Sequence, residues 1–425
     1  MNVSSIVRLA QGLGVQILCY AGIFLSLTVC ARALSPHDFG IYASSVAIAS
    51  FAGTVLSVGA DRIWLRILLR RAESERNQAI DAATLIPAAT VNILLWIATL
   101  ALFFVGFAKS SIIFILAMSA ATVVRTLLSS YFKYVSDDRA NIVAIFGLQP
   151  FVVGAMMGVL FLATPTTGSV GHLSAWMGIT LIVETIQLAI LFARARKQGM
   201  RFSMDRSDHL WSKSVPHAKA GVLISFMTML AQSGPLSLSA ATLLLPASDV
   251  GVYAVALRIS QLIFFPFIGA MQIVVPLTSK LYRDDEISTA KTELKNILRY
   301  TVGMMAILNI GFLAVGSIFI LISFGISDYR AYLCTLILNI GNFFTSLFGV
   351  GDLILVSLGL HRMAFWISVW CGGVVLLLVG GASLALGMGI VGLAIATAVA
   401  MAARAFVGYV LARHRVPMPV SVFDR

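Results

Sequence analysis

The residues of this chain that could do chemistry are charged side chains set inside long apolar segments. Two of them are arginines, Arg258 and Arg125, and a third arginine, Arg32, lies at the end of such a segment. A charge at membrane depth costs about 2.5 kcal/mol or more and usually faces the protein interior, so these residues are functional candidates. The planar fork of a guanidinium matches the oxygens of a phosphate group. The arginines therefore predict a cationic site for an anionic, phosphorylated cargo.

Arg258 lies in a stripe of polar and small residues. On a helix with about 100° between residues, Gln261 and Gln272 fall within ~60° of Arg258. We take the two glutamines and the three arginines as substrate-binding candidates. The alternative is that each arginine pairs with an internal acid or extends its charge to the membrane surface, since Arg125 and Arg32 lie near the ends of their segments.

Two carboxylates in apolar segments, Glu184 and Asp352, are candidates for coupling transport to an ion gradient. A proton or sodium relay within the membrane needs such a group. The alternative is that each carboxylate is the structural partner of a buried arginine. We expect no cofactor besides a coupling proton or sodium ion.

The sequence lacks the motifs of enzymes and metal sites. Its cysteines, Cys19, Cys30, Cys334 and Cys371, lie in or beside apolar segments without metal-ligand spacing, and its six histidines are scattered. Neither a Walker sequence nor a Gly-x-Ser-x-Gly elbow is present. We therefore expect no catalytic residue, no metal site and no enzyme activity.

The elements that position these charges are predicted to be about twelve membrane-spanning helices, which makes the fold class an all-α polytopic membrane protein. Hydrophobic residues make up 59% of the chain and charged residues 11%, against about 25% charged in ordinary globular proteins. A bilayer core about 30 Å thick needs roughly 20 apolar residues of helix. This length predicts spans at 9–31, 39–60, 82–107, 111–132, 142–162, 173–193, 220–244, 250–275, 300–323, 332–358, 363–386 and 388–411.

The basic residues predict the orientation of these spans. Of the 30 lysines and arginines, three lie within spans and only three, Arg32, Lys109 and Arg330, lie in the gaps that would be external; the other 24 are on the cytoplasmic side if the N-terminus is cytoplasmic. This is the positive-inside rule, and it places both termini in the cytoplasm. The net charge of +12 is therefore a consequence of topology, and no nucleic-acid partner is expected.

The sequence contains an internal duplication. The segment Asp38-Phe39-Gly40-Ile41-Tyr42-Ala43 recurs as Asp249-Val250-Gly251-Val252-Tyr253-Ala254, and Gly168-Ser169-Val170-Gly171 recurs as Gly389-Ile390-Val391-Gly392. We predict an N-terminal six-helix lobe at 1–200, a basic cytoplasmic linker at 201–219, a C-terminal six-helix lobe at 220–412 and a cytoplasmic tail at 413–425. Six spans is an even number, so the lobes run parallel around a central cavity, a common transporter plan. Asp38 and Asp249 have a simpler explanation as helix caps, and prolines such as Pro266 are candidate kinks.

Four segments, in this order and spacing, resemble the oligosaccharide flippases of the polysaccharide-transport family, the Wzx-type members of the multidrug/oligosaccharidyl-lipid/polysaccharide exporter superfamily. They are Ala31 to Tyr42 after the first span, Asp249 to Ala254 leading to Arg258, Pro276 to Tyr282 after the eighth span, and the glycine-rich hairpin from Leu386 to Ala394.

The resemblance implies a MATE-like flippase that moves an undecaprenyl-diphosphate-linked oligosaccharide repeat unit across the bacterial inner (plasma) membrane by alternating access, for O-antigen, capsule or exopolysaccharide synthesis. Polymerase and export proteins of the same glycan pathway are the implied partners, besides membrane lipid. Arg258 and Arg125 would then be cavity cations, with Arg32 beside them, and Asp352 or Glu184 would couple the ion gradient.

Four alternatives remain open. A MATE-type cation-coupled multidrug exporter usually carries an acidic residue in the first lobe, whereas the first span here has none. A major-facilitator transporter has a glycine and aspartate motif after the second span, which Gly59-Ala60-Asp61-Arg62 does not match in spacing. A lipid II flippase usually has two more spans than are predicted here. A non-transporting scaffold of a glycan-assembly complex would not need the buried arginines for export.

Overall fold

The computed structural model describes residues 21–57, 109–134, 140, 143–144, 152–156, 169–198, 233–271, 287–348, 350–351, 354–355 and 360–415. Every regular element within these ranges is helical. The chain divides into two compact units, Met1–Met229 and Leu230–Arg425, and each is described by itself. The predicted linker at 201–219 and the predicted span at 82–107 lie outside the described residues.

The first unit contributes four described helices of more than ten residues, besides a short helical stretch at 152–156. They are α1 (Ala21–Ala33), α2 (Pro36–Leu56), α3 (Lys109–Tyr134) and α4 (Ser169–Lys197). Helix α3 packs against both α2 and α4.

The start of α2 differs from the predicted aspartate cap. Its N-cap residue is Ser35, whose hydroxyl oxygen accepts the backbone N–H of Asp38 at 3.1 Å. The same hydroxyl donates to the Asp38 carboxylate at 2.9 Å, and Pro36 occupies the first turn, where its missing N–H has no helical partner to lose. Ser35 is therefore the cap, and Asp38 supports it from the first turn, where a negative charge suits the helix dipole.

The second unit contributes the remaining described helices. They are α5 (Ser233–Leu244), α6 (Ala247–Ile263), α7 (Phe265–Met271), α8 (Ile287–Phe324), α9 (Tyr329–Phe348), α10 (His361–Ile367), α11 (Val375–Ala385) and α12 (Gly389–Arg415). A π-helical segment, Ser368–Val374, joins α10 to α11.

Seven of the described helical stretches are long and apolar enough to cross a membrane, and the bent pair α6 and α7 makes an eighth. All eight coincide with predicted spans. Helix α8 has the most apolar window, with a mean hydropathy of 2.5, yet only 22% of that window is buried inside the protein. An apolar surface of this extent requires a lipid environment, so the chain is a multi-pass membrane protein.

The hairpin between the last two spans has the predicted tight geometry. Helix α11 ends at Ala385 and α12 begins at Gly389. Gly387 and Gly389 have φ angles of 72° and 53°, in the left-handed region that glycine adopts without a Cβ penalty. The two glycines therefore allow α12 to turn back and pack against α11.

The duplication seen in the sequence is repeated in contacts within each unit. In the first unit the ring of Tyr42 on α2 lies 6.0 Å from that of Trp176 on α4. In the second unit Tyr253 on α6 shares a hydrogen bond of 3.1 Å with Thr397 on α12. Tyr253 follows Tyr42 by 211 residues, the same separation as between Asp38 and Asp249. Thr397 follows Trp176 by 221 residues, the same separation as between Gly168 and Gly389. Equivalent positions on equivalent helices are thus in contact in both units.

Helix α9 and the residues just after it approach α12 closely because glycines lie at the contact. A Cβ built on Gly341 would lie 2.7 Å from the Cα of Ala398, and one built on Gly351 would lie 2.5 Å from the carbonyl group of Gly408. Small residues at such contacts let membrane helices pack backbone against backbone. This packing holds α9 and α12 beside α6, which carries Arg258.

Candidate functional site

Arg258 lies on α6, the most enclosed helix of the second unit. From Val250 to Leu257 every residue of this helix is buried, and Arg258 is the first half-buried side chain after them. Arg258 follows the first residue of α6 by roughly 17 Å along the helix axis, which is about half of a 30 Å hydrocarbon layer. The guanidinium is therefore held at membrane depth with part of its surface accessible.

Gln261 fixes the orientation of this guanidinium. Nη1 of Arg258 donates to Oε1 of Gln261 at 2.9 Å, and Gln261 is also half-buried. On the far side of Gln261 lies Gly234 of α5, where an added Cβ would lie 3.1 Å from Nε2 of the glutamine. The absence of a side chain at Gly234 leaves room for the glutamine to reach Arg258. Arg258 and Gln261, which the helical periodicity places on one face, are thus in direct contact.

The helix breaks one turn beyond this pair. Helix α6 ends at Ile263, and α7 continues from Phe265 at an angle of 53°. Pro266 has no backbone N–H, so the carbonyl of Leu262 loses its helical partner at this point. The kink predicted from Pro266 is therefore present, and it lies next to the arginine. Interrupted helices near the membrane centre are a recurrent feature of transporter binding sites.

Arg125 and Glu184, which the sequence suggests for different roles, form a pair in the first unit. Nε of Arg125 on α3 lies 3.0 Å from Oε1 of Glu184 on α4, and the two side chains are 16% and 2% exposed. Neither of these two atoms takes part in a hydrogen bond within the described ranges. At a separation of 3.0 Å, this means that the N–H of Arg125 does not point at the carboxylate oxygen. Arg125 also donates through Nη2 to the hydroxyl of Thr122 at 3.3 Å. The sequence allows Arg125 to be a substrate-binding cation or the partner of an internal acid, and in the structure an internal acid, Glu184, lies beside it.

Of the other predicted site residues, the structure describes Arg32. Arg32 is exposed at the C-terminal end of α1, where its charge can extend to the membrane surface. Gln272 and Asp352 lie outside the described residues, so their roles stay predictions. The part of the chain that the structure covers contains no cluster of ligands that could hold a metal ion.

A cluster of charges at the start of α6 is not among the predicted sites. Nη2 of Arg330 on α9 lies 3.1 Å from Asp249 and 2.7 Å from Asp328, and Nε of Arg330 donates to both carboxylate oxygens of Asp328. The hydrogen bond from the Arg330 guanidinium holds the pKa of Asp328, in the loop between α8 and α9, below its ordinary value of 3.8. Asp249 therefore pairs with a neighbouring helix in addition to lying in the first turn of its own.

Arg404 is a further membrane-embedded arginine that the candidate set leaves out. It lies half-buried on α12, and α12 packs on α9 as α4 packs on α3 in the first unit. At the separation of 221 residues that relates Gly168 to Gly389, Arg404 corresponds to position 183, next to Glu184. The signal for it in the sequence is the same as for Arg125, an arginine inside an apolar span.

No family model and no curated protein matches this sequence. Solved structures, in contrast, are similar over nearly the whole chain. A lipid II flippase, MurJ, in an inward closed conformation has a TM-score of 0.69 at 14% identity, over 96% of this chain and 88% of that one. A point mutant of the Vibrio cholerae MATE transporter VcmN has a TM-score of 0.63 at 17% identity, over 97% of both chains. A transporter of the MOP superfamily from Pyrococcus furiosus, described by a binding pocket of reversed polarity, has a TM-score of 0.64 at 16% identity, over 96% of this chain and 95% of that one.

These similarities confirm the predicted fold class, an all-helical polytopic membrane protein with a MATE-like fold. At identities of 14% to 17% they concern the fold alone. Function has to be argued from the residues of this chain.

Proposed function

We propose that this protein is a flippase of the MOP superfamily that moves a diphosphate-linked lipid oligosaccharide across a membrane. The observation that carries the proposal is the Arg258–Gln261 pair at membrane depth, half-buried and one turn from a helix break. A guanidinium that is held in one orientation by a neighbouring amide is suited to bidentate contact with a phosphate group.

The cargo is proposed to be anionic because arginines account for most of the membrane-embedded charge. Arg125, Arg258 and Arg404 lie within predicted spans, and Glu184 is their one acidic counterpart in the described part of those spans. A chain with this balance favours phosphate over cationic drugs. The lipid tail of such a cargo remains in the bilayer while the charged group passes through the protein.

The finer assignment is an undecaprenyl-diphosphate-linked repeat unit for O-antigen, capsule or exopolysaccharide synthesis, moved by alternating access. It is supported by the motif resemblance around Asp38, Asp249 and Arg258, and by a fold similar to that of a lipid II flippase. The positive-inside rule supports cytoplasmic termini, and the motif resemblance supports a bacterial inner membrane. Polymerase and export proteins of the same pathway are the proposed partners.

Coupling to a proton or sodium gradient is proposed to involve Glu184 or Asp352. Glu184 is 1% exposed and lies beside a cation whose charge it balances. A carboxylate in this position changes the charge of its surroundings by one unit when it binds a proton.

A second candidate function is a cation-coupled multidrug exporter. The similarity to MATE structures and the buried acid in the first unit favour it, since cation coupling requires such a carboxylate. The arginine at the break in α6 weighs against it, because a guanidinium there repels a cationic drug.

The proposal is tested by deleting the gene in its host and analysing surface glycans and extracted lipids. We expect the surface glycan to disappear and diphosphate-linked repeat units to accumulate on the cytoplasmic side. Normal glycan together with sensitivity to cationic drugs contradicts the flippase proposal and supports the exporter. Arrest of peptidoglycan synthesis instead identifies lipid II as the cargo.

Complementation of the deletion strain then tests the residue. Arg258→Ala is expected to abolish glycan export at normal abundance in the membrane, and Arg258→Lys to restore it only partly, because an ammonium lacks the bidentate fork. Arg415→Ala, at the exposed end of α12, serves as the matched control. If Arg258→Ala exports glycan normally, Arg258 does not contact cargo, and a scaffold role becomes the better explanation.

A further inference from the structure

The first unit contains a line of buried polar atoms along one face of α4. Trp176, Thr180 and Glu184 follow one another at intervals of one helical turn and are 0%, 0% and 1% exposed. Nε1 of Trp176, Oγ1 of Thr180 and both carboxylate oxygens of Glu184 form no hydrogen bond with any residue that the structure describes. At a rise of ~1.5 Å per residue the line is about 12 Å long.

Water is the partner that these atoms require. Buried polar groups are nearly always hydrogen-bonded, either to protein or to ordered water. Three consecutive turns of α4 present such atoms on the same side. Because these residues are 0% to 1% exposed, water reaches them when the neighbouring helices part from this face. The polar face of α4 is therefore inferred to become hydrated as far as Glu184 by such an opening.

The line begins towards the outer surface in the predicted orientation. Helices α2 and α4 both start on that side, and Trp176 is the member nearest to the start of α4. The ring of Tyr42 on α2 lies 6.0 Å from that of Trp176, and Asp38 is one turn closer to the start of α2. The polar face thus leads from the outer end of α2 down to the carboxylate.

Glu184 determines how much positive charge Arg125 presents. The two groups are 3.0 Å apart and together neutral, yet they are not joined by a hydrogen bond. When the carboxylate is protonated, the pair carries one positive charge in a poorly solvated place. An anion that binds there restores neutrality, so proton and anion favour each other's binding.

We propose that Glu184 accepts a proton from the outer side along the Trp176–Thr180 face, and that protonation releases Arg125 to bind a diphosphate-type anion. The anion rests on the proposed function, whereas the proton path does not. The proton comes from external water and converts the carboxylate to the neutral acid; it returns to water when Arg125 pairs again with Glu184.

The other charged residues of the described helices that pack here lie towards the ends of those helices. His37 and Asp38 lie in the first turn of α2, Lys109 and Lys133 lie at the two ends of α3, and Arg194, Arg196 and Lys197 lie in the last turns of α4. Among the described residues packed on this part of α4, Arg125 is accordingly the charge that faces Glu184.

The proton path is tested by cysteine modification in intact cells. In a background without the four natural cysteines, Thr180→Cys is expected to react with a small, charged, membrane-impermeant methanethiosulfonate from the outer side. Ile182→Cys is the matched control, because Ile182 lies at nearly the same depth but on the opposite face of α4, where it is 61% exposed within the protein and faces lipid rather than the polar line. We expect Thr180→Cys to react at least tenfold faster. Equal, negligible rates for the two variants contradict a hydrated face.

The proton–anion linkage is tested by calorimetry of farnesyl diphosphate binding to the full chain in lipid nanodiscs. Titrations in buffers of different ionisation enthalpy are expected to show that the wild type takes up about one proton per diphosphate bound. Over the pH range of this uptake, its affinity for the diphosphate should fall about tenfold for each unit that the pH rises. Glu184→Gln should bind without proton uptake and with an affinity independent of pH, Glu184→Asp should keep the uptake, and Arg125→Gln should bind more weakly at every pH.

The two tests separate the inference from the proposed function. Diphosphate binding with the same proton uptake in wild type and Glu184→Gln overturns the inference and leaves the flippase standing. Rapid modification of Thr180→Cys without diphosphate binding in the wild type overturns the anionic cargo and leaves the proton path standing.

Discussion

Breaking the pair between Arg125 and Glu184 is expected to destabilise the protein strongly, whereas removing both charges is not. The side chains are 16% and 2% exposed, and loss of one partner of a buried ion pair typically costs about 3–5 kcal/mol. Arg125→Met leaves the less exposed group, the carboxylate, without its cation, so we expect a loss of ~4 kcal/mol. Glu184→Gln leaves a guanidinium that keeps its bond to Thr122, so we expect ~3 kcal/mol.

The double variant Arg125→Met/Glu184→Gln carries neither charge and is expected to lie within about 1 kcal/mol of the wild type. The coupling energy of the cycle, which is the sum of the two single losses less the change in the double variant, is then about 6–8 kcal/mol. The assay is reversible unfolding in lipid bicelles by steric trapping, with each variant compared at one pH. Lys197→Met, at the exposed inner end of α4, is the control and should change the free energy of unfolding by less than about 0.5 kcal/mol.

Additive losses in the double variant contradict this reasoning, because they mean that each side chain is stabilised by something other than its partner. Single losses below about 1 kcal/mol contradict it differently, since they place both charges in water, where ion pairs contribute little.

Three other perturbations follow from individual contacts in the structure. Gly351→Ala is expected to destabilise the second unit by about 3 kcal/mol, since its Cβ would lie 2.5 Å from the Gly408 carbonyl. Gly381→Ala, whose Cβ would have no atom within 4 Å, should instead stabilise the protein by up to ~1 kcal/mol. Thermal unfolding in detergent compares the two variants. Gly234→Ala should turn Gln261 away from Arg258 and slow glycan export several-fold at normal abundance, whereas Gly303→Ala, also without neighbours within 4 Å, should not; equal export rates argue against a role for Gln261. Arg330→Gln should cost up to ~1 kcal/mol at pH 7, as expected for a half-exposed pair. Because the pKa of Asp328 is lowered in the folded protein, that contribution is present above the carboxyl's unfolded pKa and is lost as pH falls through the folded value; unfolding below pH 4 should show a smaller gap between variant and wild type, and a constant gap refutes the assignment.

The spans could be predicted because hydropathy and length are properties of the chain alone. Each described long helix coincides with an apolar segment of the expected length, and the hairpin at Gly387 and Gly389 follows from glycine's access to positive φ. The bend at Pro266 follows from its missing N–H. The π-helical segment at Ser368–Val374 could not be predicted, because it contains no proline and its extra residue is accommodated by packing against α12.

The pairing of the buried charges could not be predicted in the same way. Hydropathy marks Arg125 and Glu184 as unusual, but their contact depends on α3 and α4 being neighbours and on how each helix is rotated. Asp249 and Arg330 show the same limit. They lie in different gaps of the sequence, and only the folded chain brings the start of α9 to the start of α6.

The most direct test of the central claim is a flipping assay with purified protein in liposomes. Liposomes carry a fluorescent polyprenyl-diphosphate oligosaccharide in both leaflets, and a membrane-impermeant quencher reports how much of it reaches the outer leaflet. Wild-type protein is expected to make the whole pool accessible, and Arg258→Ala, inserted at equal density, to leave the inner-leaflet half protected. Protection that persists with the wild type, or equal accessibility with Arg258→Ala, contradicts a flippase that binds its diphosphate through Arg258.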